Sequence, residues 1–256
     1  MNIEHAAMLI QDTRARGAPP PKELEGVLTM AQAYAVQWRL LAWQEGRGER
    51  QAGWKIGGNS AKARELYKTV DPFAGFILES GRFASGADFD TADIPASAVL
   101  ECELCFRMAR TVKGAVTDRA EILDAIAGVT PAIEVAGIGR EASLDPPLNI
   151  ADDIAHYAYV LGEEVAPYPA NLDLGGMRLR AQRNGETVFD HLCAEAIDNQ
   201  IDSLVWLANH LAAEGRALEA GQVIITGSCA PPTPVAAGET WHVAFEGLGD
   251  VSARFR

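Results

Sequence analysis

The segment LECELCF, residues 100–106, contains two overlapping pairs of side chains that could bind a metal ion. Cys102 and Cys105 form a C-x-x-C pair, whereas Glu101 and Glu103 form an E-x-E pair. The surrounding run VLECELCFRM has high strand propensity, and successive side chains of a strand point to opposite faces. The two glutamates therefore share one face with Cys105, and Cys102 points to the other. This phase disfavours a zinc or redox site at the cysteines, because such pairs need a turn to converge.

The two glutamates instead favour a hard divalent cation. Carboxylates two residues apart on a strand have Cα atoms roughly 7 Å apart, so their oxygens can converge on one ion. Two carboxylates do not complete such a site, because magnesium prefers six ligands and usually keeps waters. Glu134, within the apolar run TPAIEVAG, is the predicted third carboxylate, because a charge inside a buried strand needs a partner. The alternative is an exposed sheet face for the first two and a strand-end charge for Glu134.

Lys55 interrupts the apolar residues Trp54 and Ile56 in the glycine-flanked strand GWKIGG. Its ammonium either neutralises the predicted acidic cluster and holds an anionic substrate, or extends to solvent along its aliphatic stem. The strand position alone favours the second interpretation. The turn TGS, residues 226–228, is by itself an ordinary strand end, and Gly227 suits that conformation.

Two helices are predicted ahead of the strands that carry these residues. Apolar side chains at helical spacing predict helices over residues 2–16 and 22–44, separated by the run GAPPPK. Further helical periodicity occurs at residues 60–68, 118–128 and 197–213.

Beyond the second helix, short runs bounded by Gly, Pro and Asp predict strands. These runs are GWKIGG, GFILES, AVLECELCFRM, PAIEVAG, MRLRAQRNGETVF, GQVIITGS, TWHVAFEG and VSARFR. They do not alternate regularly with helices, which argues against a doubly wound parallel sheet. The sequence therefore predicts an α+β protein with a helical N-terminal region, residues 1–50, and a strand-rich catalytic domain, residues 51–256.

The composition excludes several classes of function. The 35 acidic and 22 basic residues give a net charge of −13, so no nucleic-acid partner is expected, because phosphate contacts need clustered Lys and Arg. No run of about 20 apolar residues is present, so no membrane span is expected. The four cysteines do not suggest a disulfide framework, and the start of the chain lacks a signal-peptide pattern. We therefore expect a reduced, cytoplasmic protein.

Several motifs, in their order along the chain, resemble the 2-keto-4-pentenoate hydratase and 4-oxalocrotonate decarboxylase family of meta-cleavage pathways, in the fumarylacetoacetate hydrolase superfamily. They are TMAQAYAVQ (29–37), GWKIGGNS (53–60), LECELCF (100–106), PAIEVAG (131–137), IADDIAHYAYVLG (150–162), SLVWLANHLAAEGRALEAGQVIITGS (203–228) and PVAAGETWHVAFEGLGDVSARF (234–255). The resemblance implies a mixed β-sheet roll of the fumarylacetoacetate hydrolase C-terminal type with a helical N-terminal extension. It also implies Mg²⁺ or Mn²⁺ as cofactor, and a homo-oligomer that can associate with a pathway enzyme.

The resemblance also assigns roles to individual residues. It assigns metal binding to three carboxylates: Glu101, Glu103 and Glu134. It assigns a catalytic role to Lys55, and it places the substrate beside the strand-end turn formed by Thr226, Gly227 and Ser228.

The chain departs from the family pattern on the substrate side. The family's PDFG is replaced by DPFAG, residues 71–75, so Phe73 stands at the acid position. Asp71, displaced by two residues, is the predicted catalytic acid, and Asp152 or Asp153 are alternatives. The family's ADNAS is replaced by ADDIA, and the SR after the third glutamate by GIGR, which ends at Arg140. The predicted metal ligands are thus kept while the substrate side differs.

The predicted function is a metal-dependent lyase acting on a small 2-oxo acid. Hydration of a 2-hydroxydienoate ranks first, and decarboxylation of the 4-oxalocrotonate type ranks second. Hydrolytic C–C cleavage is disfavoured, because the superfamily's hydrolases use a His–Glu pair and this chain has no histidine between His5 and His156. His156 itself fits either a site residue or a helix-surface position. A non-catalytic subunit that stabilises a partner enzyme is the alternative from another class.

Overall fold

The computed structural model describes residues 1–91, 98–136 and 144–256, so Arg140 lies outside the described residues. The described residues contain six α-helices: α1 Ile3–Ala15, α2 Met30–Gly46, α3 Ala61–Tyr67, α4 Arg119–Leu123, α5 Pro146–Ala151 and α6 Gln200–Ala213. They also contain fifteen strands: β1 Gln51–Gly57, β2 Phe73–Leu78, β3 Arg82–Ala84, β4 Ala87–Phe89, β5 Val99–Met108, β6 Val112–Lys113, β7 Ile126–Ala136, β8 His156–Leu161, β9 Arg178–Arg183, β10 Glu186–Leu192, β11 Ala217–Leu218, β12 Val223–Ile225, β13 Thr233–Pro234, β14 Thr240–Phe245 and β15 Gly249–Phe255.

An eight-stranded mixed sheet dominates the architecture. Its strand order is β2-β1-β12-β5-β7-β8-β3, and β13 pairs with the start of β5. The pairs β1–β12 and β3–β8 are parallel, whereas β5 is antiparallel to both β12 and β7. A five-stranded sheet, β10-β9-β14-β15-β4, and a two-stranded sheet, β11-β6, complete the strands. Mixed sheets with separate helices confirm the predicted α+β class.

The N-terminal helices differ from prediction at one boundary. Helix α1 agrees with the expected range, and Asn2 caps it. Helix α2 begins at Met30 rather than near residue 22, so the predicted start is wrong. Thr29 and Gln32 form a reciprocal capping box there, which satisfies the free N–H groups of the first turn. Gly26, with a φ of +68°, lies between this cap and a short 3-10 turn at Lys22–Leu24.

A second boundary is also wrong, near the end of the predicted helix 118–128. Helix α4 ends at Leu123, and the chain has already entered strand β7 at Ile126. This strand is buried along nearly its whole length, so tertiary pairing with β5 outweighs the local helical periodicity.

Buried apolar residues form two clusters on opposite faces of the large sheet. The larger cluster includes residues of α1 and α2 as well as the strand residues Cys102, Leu104 and Ile224. The smaller cluster consists of eight residues: Ala52, Ile77, Cys105, Ala132, Tyr159, Leu161, Val223 and Ile225. Because both proposed parts of the chain contribute to the larger cluster, a division at residue 50 stays a prediction. No helix within the described ranges is both long and apolar enough to cross a bilayer.

Helix α2 is tied to the sheet through one buried amide. The side chain of Gln37 is fully buried, and its Nε2 donates to the carbonyl oxygens of Ala74 in β2 at 2.9 Å and Ile150 in α5 at 2.8 Å. The two bonds satisfy a buried side-chain donor and join α2 to both β2 and α5. The N-terminal helices thereby fix the segment that leads from α5 into β8.

Candidate metal centre and active site

Three carboxylates converge on the face of the large sheet that carries the smaller apolar cluster. Glu101 in β5 lies directly opposite Glu134 in β7, and Glu103 lies opposite Ala132. One carboxylate oxygen from each glutamate lies within 4.8 Å of the other two. Glu103 and Glu134 are each only 1% exposed, and Glu101 is half-buried. The strand phase read from the sequence thus brings these groups together.

The two cysteines of the C-x-x-C pair point away from each other. Cys102 belongs to the larger apolar cluster and Cys105 to the smaller one. Burial raises the pKa of both thiols, that of Cys105 to about 12. A protonated thiol is a poor metal ligand, so the geometry and the protonation state both argue against a metal site at these sulfurs.

We expect Cys102→Ala and Cys105→Ser to leave the affinity for Mg²⁺ and Mn²⁺ unchanged. The two sulfurs lie on opposite faces of β5, so they cannot bind one ion together. Isothermal titration with each ion measures this. Tight zinc retention that disappears in these variants would contradict the expectation and would move the metal site to the cysteines.

Lys55 is buried against the acidic cluster. Its Nζ forms an ion pair with Oε1 of Glu134 and donates a hydrogen bond of 3.2 Å to the carbonyl oxygen of Ile154. Burial disfavours the ammonium, but the charges of Glu134 and Glu101 outweigh it and raise the pKa of Lys55. The lysine therefore stays charged and does not extend to solvent. Gly75 of β2 pairs with Lys55 of β1, and a Cβ added at Gly75 would lie 2.9 Å from the Lys55 Cγ.

The electrostatics of the three carboxylates are unequal. Burial and the charge of Glu134 raise the pKa of Glu101 to about 7. Burial, Glu134 and Glu101 raise the pKa of Glu103 well above its usual value. Burial also acts on Glu134, but the Lys55 charge and a hydrogen bond from His156 lower the pKa of that carboxyl to about 2.

These carboxylates fit a divalent cation of the hard, oxygen-binding class. Three carboxylates lie beside the Lys55 ammonium, and two further positive charges would offset the burial and the mutual repulsion that raise the pKa values of Glu101 and Glu103. Carboxylate oxygens are the ligands that magnesium, calcium and manganese prefer. We take Glu101, Glu103 and Glu134 as the candidate ligand set.

The segment after α5 brings three further groups to this cluster. Asp153, Ile154 and Ala155 have φ values of 53°, 50° and 54°, a left-handed run that is rare for residues with a Cβ. The run places the Asp153 carboxylate, the Ile154 carbonyl and the His156 imidazole next to Lys55 or Glu134. Such strain is typical of sites whose surroundings impose the conformation.

Of the three aspartates considered as the catalytic acid, Asp153 is the one that lies beside the Lys55 stem. It is 2% exposed, and its Oδ1 accepts a 2.8 Å hydrogen bond from the N–H of Phe76. The same oxygen would lie 3.0 Å from a Cβ added at Gly75, so it shares that space with the Lys55 stem. Burial raises the pKa of Asp153 to about 7 against the opposing charge of Arg14.

Asp71 lies elsewhere. It is exposed in the bend before β2, and its charge acts on Tyr34 and His210. The groups that shift the pKa of Lys55 and of the three glutamates do not include it. The other alternative acid, Asp152, pairs with Arg14 of α1 at 2.8 Å.

His156 contacts the cluster directly. It starts strand β8, so the helix-surface interpretation is wrong. Its side chain is 7% exposed, and Nδ1 lies 2.8 Å from Oε1 of Glu134. Periodicity missed this strand because the left-handed run precedes it and interrupts the apolar pattern. The sequence offers one sign of the contact between His156 and Glu134, namely that a histidine stands directly before the apolar run YAYVL.

The turn after β12 holds the other side of the cluster. The N–H of Gly227 donates to Oε2 of Glu103 at 2.7 Å, and its φ of +95° suits glycine. Thr226 Oγ1 donates to the carbonyl oxygen of Leu104 at 3.1 Å, and Ser228 Oγ accepts from the N–H of Cys102 at 3.0 Å. The turn thus fixes the carboxylate of one candidate ligand, Glu103, and the strand that carries it.

Comparison with known proteins agrees with this architecture. The model of the fumarylacetoacetate (FAA) hydrolase C-terminal family matches residues 59–256. The chain belongs to this family. The matched range, residues 59–256 of this chain, includes every candidate site residue except Lys55.

Individual members of the family are similar over nearly the whole chain. The 2-hydroxyhexa-2,4-dienoate hydratase of Comamonas testosteroni is 29% identical over 94% of this chain and 92% of its own. The 2-oxo-hept-4-ene-1,7-dioate hydratase of Escherichia coli is 30% identical over 89% of this chain and 87% of its own. The structure of 4-oxalocrotonate decarboxylase from Pseudomonas putida G7, complexed with magnesium and adipate, superposes with a TM-score of 0.91 at 26% identity and covers 100% of this chain and 99% of that one.

Proposed function

We propose that this protein is a divalent-metal-dependent lyase that adds water to a small 2-hydroxydienoic acid, in the breakdown of aromatic compounds. The observation that carries the proposal is the buried cluster of Glu101, Glu103 and Glu134 beside a charged lysine. Such a cluster suits a substrate that reaches the cation through hard oxygen atoms. The similarity to two hydratases and to a magnesium-bound decarboxylase supports the same class of reaction.

Magnesium or manganese would be held by the three glutamates. When bound, such an ion supplies a Lewis acid for the carboxylate and 2-oxo oxygens of the substrate. Gly227 restrains the Glu103 carboxylate through its N–H, and Lys55 restrains that of Glu134. The protein thereby holds the ligand oxygens in place before substrate enters, which avoids reorganisation during the reaction.

Lys55 and Asp153 are the groups that we assign to substrate chemistry. The Lys55 ammonium, fixed by Glu134 and the Ile154 carbonyl, holds the anionic end of the substrate. The Asp153 carboxyl, with a pKa of about 7, can both donate and accept a proton near neutral pH. It would carry a proton between water and the carbon chain of the substrate. We also propose Thr226, Gly227 and Ser228 as substrate-binding residues, because the turn that they form contacts the carboxylate of Glu103.

Hydration ranks above decarboxylation because a relative named as a hydratase covers 94% of this chain at 29% identity, whereas a 4-oxalocrotonate decarboxylase of Pseudomonas covers 89% at 30% identity. Decarboxylation stays the second candidate because the structurally similar protein with a TM-score of 0.91 is a decarboxylase. We further propose a cytoplasmic homo-oligomer that can associate with an enzyme of the same pathway.

The test of the proposed reaction incubates the purified protein and Mg²⁺ with 2-hydroxypenta-2,4-dienoate and, separately, with 4-oxalocrotonate. We expect loss of dienol absorbance and a product that has gained one water. Release of carbon dioxide alone would reverse the order of the two candidates. A third incubation, with an acylpyruvate, tests for hydrolysis: its cleavage into two acids would refute the lyase. No turnover of any of the three substrates would favour a non-catalytic subunit.

Asp153→Asn and Asp71→Asn form a matched pair that locates the acid. Asparagine keeps the Oδ1 acceptor for the Phe76 N–H, so Asp153→Asn removes the exchangeable proton with little change in packing. We expect kcat/KM to fall by about 10²-fold or more in Asp153→Asn and to stay unchanged in Asp71→Asn. Steady-state kinetics measures both. The opposite pattern would return the catalytic role to Asp71.

A further inference from the structure

The carboxylate of Glu134 uses its two oxygens unequally. Oε1 is contacted both by the Lys55 ammonium and by Nδ1 of His156, the latter at 2.8 Å. Within the described residues, Oε2 accepts no hydrogen bond from a protein group; both donors contact Oε1. One oxygen is therefore saturated with donors, while the other is available to a cation.

The imidazole of His156 meets Glu134 through Nδ1. An ionised carboxylate oxygen can only accept a hydrogen bond, so Nδ1 carries the proton of this contact. Nε2 is buried and has no hydrogen-bond partner among the described residues. The ring is thus fixed by one directional bond, the one to Glu134.

We propose that His156 is a positioning residue of the metal centre, which orients Glu134 so that Oε1 is occupied and Oε2 alone binds the cation. The inference rests on the proposed function, because it assumes the ion. It differs from the role of Lys55, whose removal would also delete a positive charge beside the cation. Asparagine and glutamine differ only in where they place an amide donor, so a difference between those two variants in ion affinity reports orientation. Groups behind metal ligands commonly act in this way.

The left-handed run of residues 153–155 has a place in this arrangement. It turns the chain sharply between α5 and β8, and His156 follows it directly. Gly81 lies against the ring, where an added Cβ would be 3.8 Å from Nε2. The backbone therefore sets the position of the imidazole on one side, and Glu134 sets it on the other.

The test compares His156→Asn, His156→Gln and His156→Phe by isothermal titration with Mn²⁺. The amide nitrogen of asparagine can occupy the position of Nδ1, whereas that of glutamine reaches the position of Nε2. We expect a 10- to 100-fold weaker Mn²⁺ affinity, about what loss of such a partner costs, in His156→Gln and His156→Phe, and recovery to near the wild-type value in His156→Asn. Thermal unfolding without metal verifies that each variant is folded, and the glutamine and asparagine variants keep the test valid if the phenylalanine variant is not.

Three results would overturn the proposal. Unchanged Mn²⁺ affinity in both His156→Gln and His156→Phe would make the contact incidental. Unchanged affinity with a collapsed kcat and the loss of one limb of the pH profile would make His156 a proton-transfer group. Equal weakening in all three variants would show a packing effect. Glu134→Gln separates these results from failure of the proposed function, because wild-type affinity in that variant would remove the metal centre itself.

Discussion

Replacing any one of Glu101, Glu103 and Glu134 by glutamine is expected to abolish Mg²⁺-dependent turnover and to weaken the affinity for Mn²⁺. The loss of Mn²⁺ affinity should exceed the ~10- to 100-fold loss that follows removal of a group that only contacts a metal ligand. The reason is that each glutamate contributes an oxygen to a cluster that lies within 4.8 Å, and an amide oxygen does not carry the charge that balances the ion. Thermal unfolding measures the same property independently, because an ion that binds only the folded state raises Tm with its concentration.

The matched control is Glu65→Gln. Glu65 lies exposed on α3, and the same chemical change there removes a charge without touching the cluster. We expect its Tm to respond to Mn²⁺ as the wild type does, whereas the response of the three cluster variants should be flat. A wild-type response in all three cluster variants would place the ion elsewhere.

Lys55→Met is expected to lower kcat/KM by about 10²- to 10⁴-fold, the range of a lost acid–base or charge-holding group. Metal affinity should not fall with it, because the ammonium is a positive charge that repels the cation while it restrains Glu134. Lys55→Arg should not restore activity. A planar guanidinium differs from a compact ammonium, and the space beside Gly75 leaves no room for a larger group.

Lys62→Met is the control for the loss of a lysine charge, since Lys62 is exposed on α3. Steady-state kinetics at saturating Mg²⁺, with Mn²⁺ titration alongside, separates the two effects. Full activity in Lys55→Met would return this residue to a structural role. A large loss of metal affinity in the same variant would show instead that the ammonium is required to build the ligand set.

The convergence of the three candidate ligands could be predicted from the sequence because strand periodicity is a local property. Alternation alone places Glu101 and Glu103 on one face and separates the two cysteines. The pairing of Glu101 with Glu134 needed one more step, namely that a charge in a buried strand requires a partner. Both steps depend only on residue type and on the two-residue repeat.

The positions of the proposed acid, Asp153, and of His156 could not be predicted in the same way. Asp153 and His156 reach the site through a left-handed run at Asp153, Ile154 and Ala155, and nothing in those residue types predicts φ values near +50°. Surrounding contacts impose this conformation, including the ion pair of Arg14 with Asp152 from a helix 138 positions earlier in the chain. The start of α2 was missed for a more local reason, because the capping box at Thr29 outweighs the apolar spacing that precedes it.

The most direct measurement of the central claim is a crystal structure of the protein soaked with Mn²⁺ and oxalate, using anomalous scattering to locate the metal. The account predicts one Mn²⁺ peak bonded to Glu101, Glu103 and Glu134, with oxalate on its open side and the Lys55 ammonium and Asp153 carboxyl facing the oxalate. Mn²⁺ bound at other residues, or no peak at the three glutamates at saturating concentration, would contradict it.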